Sequence, residues 1–412
     1  MQVLLSSIGT RGDVQPILAL GLELQALGHR ARLVVPPNFK EWVESYVLEC
    51  VPIGPDLRKL TGGTVTGKPV LPSKEQLQQM ADQSVRDQFR VIGEAARDCD
   101  LIVAATALQF AARSIAEAQG IPYVFAAYAP VVLPSSKYPP PSHGGAGQNW
   151  DTGHSHALSE AENLGLWKEN EESFQKFAPA LNEERAKIGL LSVTSVQRYM
   201  FTDHPWLAAD PALAPAFPLD GMEVTQTGAW MFYDDAPLPG EVEEFLTEGP
   251  PPVYLGFGSM RASDQTAHVL IEAARALGLR SILSQGWAGL TPGDTGSDVL
   301  SIPDVNHGKL FPCVAAIVHH GGAGTTHAAA RAGTPQVIIP HNYDQFYWAH
   351  RVQELGVGVS GPLRDDITVE EVAQTLREAL QPKVRTCAQE LASHMELHGA
   401  RNAAERLTNE FG

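Results

Sequence analysis

Several short segments of this chain combine residue types suited to binding an anion and moving a proton. The strongest is His319-His320-Gly321-Gly322-Ala323-Gly324-Thr325-Thr326, where an apolar, strand-like run gives way to an alanine-rich helical pattern. Unpaired N–H groups at a helix N-terminus bind anions, and glycines let the backbone approach phosphate oxygens without a Cβ in the way. Phosphate is therefore the expected ligand, with Thr325 or Thr326 adding a hydroxyl. The plain alternative is a tight strand-to-helix turn with a threonine cap. A metal site on His319, His320 and His327 is disfavoured, because neighbouring strand residues point to opposite faces.

Asp344-Gln345 follows the run ending at Pro340 and precedes a helical pattern through Trp348, Ala349 and Val352. A carboxylate beside an amide can accept from and donate to neighbouring sugar hydroxyls, although Asp344 as a simple N-cap explains the pair equally well. Gly256-Phe257-Gly258-Ser259 marks another strand end where a small residue and a hydroxyl, Ser259, suit phosphate; by itself it reads as a turn. Gly9-Thr10-Arg11-Gly12-Asp13-Val14-Gln15-Pro16 follows the first strand and carries the candidate general base, Asp13. A carboxylate in a cleft can take the proton of an attacking hydroxyl, whereas Asp13 as an N-cap would have a depressed pKa and be a weaker base. Gly9-x-x-Gly12 is not the GxGxxG dinucleotide fingerprint, which disfavours a nicotinamide enzyme. Gly286-Trp287 suits packing on a nucleobase or closing a pocket, or a core tryptophan. His29, His204 and His268 have no useful partner spacing and read as structural or surface residues.

Positioning these segments requires elements that end together. Val3–Leu5, Leu33–Val35, Leu101–Ala104 and Tyr123–Ala126 read as strands, alternating with helical patterns around Ile17–Leu27, Val85–Ala96 and Ala111–Ala118. A second alternation has strands at Val253–Phe257, Ser281–Leu283, Ala315–His319 and Gln336–Ile339. Helical patterns at Thr266–Leu277, Thr325–Ala332 and Gln345–Leu355 separate them. The expectation is α/β: two Rossmann-like domains facing a cleft, 1–225 and 253–412, joined by a proline- and acid-rich linker at 226–252. Patterns at Val369–Leu380 and from Ala388 onward predict C-terminal helices, one crossing back to brace the first domain. Between Leu133 and Trp150, Pro139-Pro140-Pro141 and Gly144-Gly145-Ala146-Gly147 predict a long surface loop shaping an acceptor cleft. Tyr138 and Trp150 there, with Thr10 and Arg11, are the expected acceptor contacts.

Composition bounds the possibilities. The chain has 412 residues, enough for two domains, and a formal net charge of −17 without basic runs, which disfavours nucleic acid. Cys50, Cys99, Cys313 and Cys387 lack paired spacing, arguing against a disulfide framework or zinc site and for a reducing cytoplasm. The N-terminus does not read as a signal peptide, and no apolar run approaches the roughly 18 residues of a membrane span.

Read in order, these motifs resemble the GT-B glycosyltransferases of family 1, specifically the bacterial enzymes acting on vancomycin-type glycopeptides. The likeness covers nearly the whole chain, including Gly9–Pro16, Tyr138–Pro141, Thr202–Trp206, Tyr254–Ser259, Gly286–Ala288 and His319–Gln345. It implies inversion at the anomeric carbon, no cofactor or metal, and a UDP- or dTDP-hexose donor held mainly by the second domain. The implied acceptor is a hydrophobic or amphiphilic glycopeptide-like aglycone held by the first. By the same resemblance, Asp13 matches the general base, where many relatives use a histidine paired with a separate aspartate. His320, Gly322, Ala323, Gly324 and Thr325 match the diphosphate segment, Asp344 and Gln345 the sugar-binding pair, and Val305 a backbone contact to the base, with Trp287 near it. Many glycopeptide enzymes carry proline after Asp-Gln; this chain has Phe346-Tyr347-Trp348. Sterol glucosyltransferases share Arg11–Pro16 and the glycine-rich segment, giving a lipid acceptor as the alternative and a nucleotide-sugar epimerase as a more distant one.

Overall fold

The computed structural model describes residues 1–58, 73–141, 158–219, 221–260, 263–287, 289–291, 296–363 and 367–412. Strand β1 (Gln2–Ser7) is buried along its whole length, as a central strand covered on both faces must be. It lies between β2 (Arg30–Val35) and β4 (Leu101–Ala105), with Leu5 opposite Leu33 on one side and Val103 on the other. Adding β3 (Glu49–Pro52), β5 (Tyr123–Ala127), β6 (Trp206–Leu207) and β7 (Thr225–Gln226) gives a parallel seven-stranded sheet ordered 3-2-1-4-5-6-7. The second sheet, also parallel, has six strands: β8 (Val253–Gly256), β9 (Ser281–Ser284), β10 (Val299–Ile302), β11 (Ala316–His319), β12 (Gln336–Ile338) and β13 (Gly358–Ser360), ordered 10-9-8-11-12-13. The expected pair of Rossmann-like units is present. The four edge strands, β3, β7, β10 and β13, and the two-residue β6 were not legible, because strands away from the doubly covered centre of a sheet need carry no continuous apolar run.

The helices used below are α1 (Arg11–Ala26), α2 (Lys74–Ala95), α3 (Ala112–Gln119), α4 (Glu160–Phe174), α5 (Ala178–Lys187), α6 (Asp264–Arg275), α7 (Ala323–Arg331), α8 (Gln345–Glu354), α9 (Val369–Ala379), α10 (Pro382–His394) and α11 (Gly399–Phe411). Helix α1 turns Val14, Ile17, Leu18, Leu20 and Leu24 onto the sheet and stops at Gly28, whose φ of +84° lets the His29 N–H reach the Leu24 carbonyl at 2.9 Å. Helix α11 crosses back as expected: Ala400, Ala403, Ala404 and Leu407 join the buried cluster of Leu5, Ile17 and Trp206. Complete burial of Leu407 is worth roughly 1.5–3 kcal/mol. Its start is so close to residues 228–229 that a Cβ on Gly399 would sit 2.5 Å from the Ala229 carbonyl oxygen.

Within the expected linker, Trp230 is buried with the first unit and Val242 and Phe245 of the helix Gly240–Thr247 with the second. The units also touch directly. His327 Nε2 accepts the Asp210 N–H at 3.1 Å, Arg351 Nε donates to the Leu213 carbonyl at 2.7 Å, and Arg11 pairs with Asp304 at 2.8 Å. No helix among the described residues is long and apolar enough to cross a membrane.

The proline-rich segment corrects one expectation. Leu133, Ser135 and Tyr138–Pro141 are buried, so most of the described part of this loop is interior, with Lys137 exposed. Prolines lack the N–H that irregular buried backbone would leave unsatisfied, which makes a proline run suited to this place.

Candidate active site

In parallel sheets every strand delivers its C-terminal end to the same edge, so the turns after β1, β8, β9, β11 and β12 bring the sequence motifs to the cleft. Asp13 stands in the first turn of α1, three residues after the N-cap Thr10, and its Oδ2 accepts the Thr10 N–H at 2.6 Å. It is therefore not the cap residue. Burial is the largest influence on its carboxyl and pushes it up to about 6, outweighing the Thr10 hydrogen bonds that act the other way. Tyr128 Oη and Ser7 Oγ donate to the Asp13 carbonyl at 3.0 and 2.9 Å, fixing this turn. Gly9 supplies the space: a Cβ there would lie 2.1 Å from Asp13 Oδ2.

The glycine-rich segment forms the other wall. Gly322 is the N-cap of α7 and has no side chain to cap with. The first bond into the helix comes from the Thr326 N–H to the Gly322 carbonyl at 3.0 Å, so the N–H groups of Ala323, Gly324 and Thr325 precede the helical ladder. Gly321 adopts φ +88°, and a Cβ there would meet Ile338 Cγ2 at 2.6 Å. The two threonines separate: Thr326 Oγ1 donates to the Gly322 carbonyl at 2.9 Å and is buried, leaving Thr325 as the half-exposed hydroxyl.

The three histidines separate as well. His319 Nδ1 accepts the Gly321 N–H at 3.1 Å while its Nε2 meets Gln336 Oε1 at 2.9 Å, and His327 Nδ1 meets the Ala323 carbonyl at 2.7 Å. Both are structural. His320 is neutral near pH 7, since burial holds it down at about 4, and its Nδ1 is buried without a partner among the described residues. A neutral ring beside free N–H groups and a half-exposed hydroxyl suits the oxygens of a diphosphate.

Asp344 occupies the N-cap position of α8 without capping it; its Oδ2 accepts Trp348 Nε1–H at 2.9 Å. Burial first, and then the negative charge of Asp13, push its carboxyl up to about 7, opposed by the Trp348 bond. The charge of Asp13 on the first unit thus reaches Asp344 on the second. Gln345 Oε1 is committed to its own loop, accepting the His341 and Asn342 N–H groups at 2.7 and 3.0 Å; its Nε2 faces Met260 Sδ at 3.6 Å. Phe346, Tyr347 and Trp348, the departure from proline, are all buried. Tyr347 packs edge-on against Tyr138 at 5.6 Å, so this run serves contact between the units and the hold on Asp344.

Other expected contacts lie elsewhere than their motifs suggested. Arg11 spans the cleft mouth to Asp304 and stacks over Trp42, 5.2 Å from the ring centre. Trp287 lies against Phe39 of the first unit at 5.9 Å, while its N–H donates to the Gly258 carbonyl at 2.9 Å. Half-exposed Ser259 and half-buried Val305 sit on turns facing this edge, and Val305 is flanked by Asp304 and by Asn306, which caps the next short helix. Tyr138 is enclosed by Phe217, Tyr347 and Trp167, whose Nε1–H donates to the Tyr138 carbonyl at 2.9 Å, so it is a packing residue rather than an open acceptor contact. Trp150 lies outside the described residues. Sequence reading missed Tyr128 and the roles of Gly9 and Trp348. Only Trp348, one helical turn beyond Asp344, left a signal in its spacing.

Residues 3–135 match the Glycosyltransferase family 28 N-terminal domain and residues 294–401 the Erythromycin biosynthesis protein CIII-like C-terminal domain. Vancomycin aglycone glucosyltransferase of Amycolatopsis orientalis is 41% identical, aligning over 99% of this chain and 97% of that protein. A sterol 3-beta-glucosyltransferase of Arabidopsis thaliana is 30% identical over 96% of this chain and 66% of its own length. Among solved structures, glycosyltransferase VinC in complex with DTDP superposes with a TM-score of 0.68 over 99% of both chains at 20% identity, a likeness of fold. Two parallel-sheet units, a cleft between them and 41% identity along nearly the whole chain lead to one conclusion: this protein belongs to the GT-B glycosyltransferases and is an enzyme that transfers a sugar.

Proposed function

We propose that the enzyme moves a hexose from a UDP- or dTDP-sugar, with inversion, to a hydroxyl of a hydrophobic or amphiphilic natural-product aglycone of the glycopeptide type. The observation that carries the reading is Asp13: a carboxyl raised to about 6, facing another unit whose helix α7 begins with free N–H groups. Such a carboxylate is ionised at neutral pH yet more basic than an exposed aspartate, which suits a general base. In this scheme Asp13 removes the acceptor hydroxyl proton as the oxygen attacks the anomeric carbon, and the bond from that carbon to the diphosphate oxygen breaks on the opposite face. Charge appearing on the diphosphate is met by the N–H groups of Ala323, Gly324 and Thr325, the Thr325 hydroxyl and His320, aided by the dipole of α7. Asp344, steadied by Trp348, accepts hydroxyls of the sugar, and Gln345 Nε2 supplies the neighbouring donor. Val305 and Trp287 border the base, and Ser259 the phosphates. The scheme assigns no step to a metal.

A glycopeptide-type acceptor is preferred to a sterol because identity is 41% to the vancomycin-aglycone enzyme and 30% to the sterol enzyme. A cytoplasmic setting accords with four cysteines that are all free. The decisive test offers UDP-glucose and dTDP-glucose with vancomycin aglycone and with a sterol, reading products by mass. Asp13→Asn should lower kcat by roughly 10²–10⁴-fold with little change in donor KM. Undiminished turnover in that variant would remove Asp13 from the chemistry, and donor isomerised without acceptor would point to an epimerase.

A further inference from the structure

The turn that delivers Asp344 to the cleft is built on an unexpected residue. Gln345 N–H donates to the Asn342 carbonyl at 3.3 Å, closing a four-residue turn whose third residue, Asp344, has φ −75° and ψ −6°. Its second residue, Tyr343, has φ +59°. That combination is the type II′ form, where glycine is the ordinary occupant because a Cβ strains the backbone. Nothing in the turn itself asks for a tyrosine.

The side chain packs against the large buried cluster that contains Ile338, Phe346 and Tyr347, and the backbone on either side of it is held. Gln345 Oε1 binds two successive N–H groups just before Tyr343, and Trp348 Nε1–H holds Asp344 just after it. The ring is half-buried. Burial, then the charges of Asp344 and Asp13, hold its hydroxyl well above the usual phenol range, so it stays protonated. Asp344 and Asp13 belong to different units, and helices α1 and α7 approach each other across the same gap. Tyr343 thus immediately precedes the residue read as the sugar hold, on the unit that faces Asp13, and charge from both carboxylates reaches its hydroxyl.

We infer that Tyr343 is a specificity-determining residue that lies against the transferring hexose and turns its reacting carbon toward Asp13, a backbone-strained tyrosine kept where glycine would be easier. The inference rests on the reading of Asp13 as base and Asp344 as the sugar hold. It requires Tyr343 to act on the sugar and not on the nucleotide, a distinction that a packing role lacks.

The experiment compares wild type, Tyr343→Gly and Tyr343→Phe. It reads KM and kcat for UDP-glucose and dTDP-glucose with vancomycin aglycone, Kd for bare UDP and dTDP, and the thermal unfolding midpoint. The glycine variant should keep or raise the midpoint, because the positive φ is then unstrained. Its KM for the sugar nucleotides should rise roughly tenfold while Kd for the bare diphosphates moves less than about twofold, with Tyr343→Phe between it and wild type. If KM and Kd move together, or neither moves, the inference is overturned. If Tyr343→Gly lowers the midpoint, Tyr343→Phe decides, and a KM-to-Kd ratio equal to wild type overturns it. Wild type without transferase activity toward any offered acceptor would instead sink the underlying functional reading, separating the two failures.

Discussion

Helices α1 and α7 both begin just after a strand near the centre of a parallel sheet, and both point their starts at the cleft, but they are finished in opposite ways. At α1 the chain supplies its own anion: Asp13 sits in the first turn and binds the Thr10 N–H at 2.6 Å. At α7 no side chain among the described residues caps the start, since the cap is a glycine and the next three residues are Ala323, Gly324 and Thr325. A helix start carries partial positive charge, so the first is already compensated and the second is open to a ligand's phosphates. One topology, used twice, thereby presents a carboxylate on one wall and uncompensated N–H groups on the other. In the proposed reaction, keeping them on separate units also keeps the ionised base and the diphosphate, two negative charges, from competing for the same N–H groups.

That contrast can be tested from its strongest consequence downward. Gly9→Ala puts a methyl where Asp13 Oδ2 now lies, 2.1 Å from the ideal Cβ position, and should displace the carboxylate by about an ångström. The expected loss is on the order of 10²-fold in kcat with donor binding retained; full activity would mean the position of Asp13 is unimportant. Gly324→Asp remakes α7 in the image of α1. The new Cβ meets nothing within 4 Å, so folding is preserved while Kd for UDP or dTDP, measured by calorimetry, should rise roughly ten- to thirtyfold. Unchanged affinity there would break the comparison outright.

A subtler consequence concerns pH. Turnover requires ionised Asp13 and should fall as pH drops through about 6. Asp344 is held up at about 7, partly by the charge of Asp13, so it is still protonated when Asp13 ionises. Replacing Asp344 by asparagine therefore removes no charge at that point and should leave the acid limb of the residual activity near pH 6. A limb displaced to lower pH would show that Asp344 is already charged when Asp13 titrates. The smallest effect belongs to Arg11→Ala. The Arg11–Asp304 pair is open to solvent, with side chains 39% and 58% exposed, and such pairs contribute about 0.2–1 kcal/mol. Donor KM should change no more than about fivefold, and the difference should shrink as salt is raised. A loss beyond a hundredfold would promote Arg11 from a bridge to a substrate contact.

How much was legible follows the range of the interactions. Long apolar strands and helices with glycine or proline at their ends reveal themselves locally, because burial on both faces leaves continuous runs and a stopped helix leaves its punctuation. The places of the glycine-rich segment and Asp13 at helix starts were legible for the same reason: a helix start is a local event. The choice of Thr325 over Thr326, the burial of Tyr138 and its prolines, and the commitment of Gln345 Oε1 to its own loop were not, since each depends on what approaches from afar.

The order of residues alone therefore determined two α/β units, the turns that end at one edge of each sheet, and which of those turns carry charge, glycine or hydroxyl. Only tertiary structure decided that Asp13 is a half-buried carboxyl of raised pKa and not a solvated one. That shift comes from the removal of water around it, and desolvation is a property of the assembled fold that no run of neighbouring residues contains.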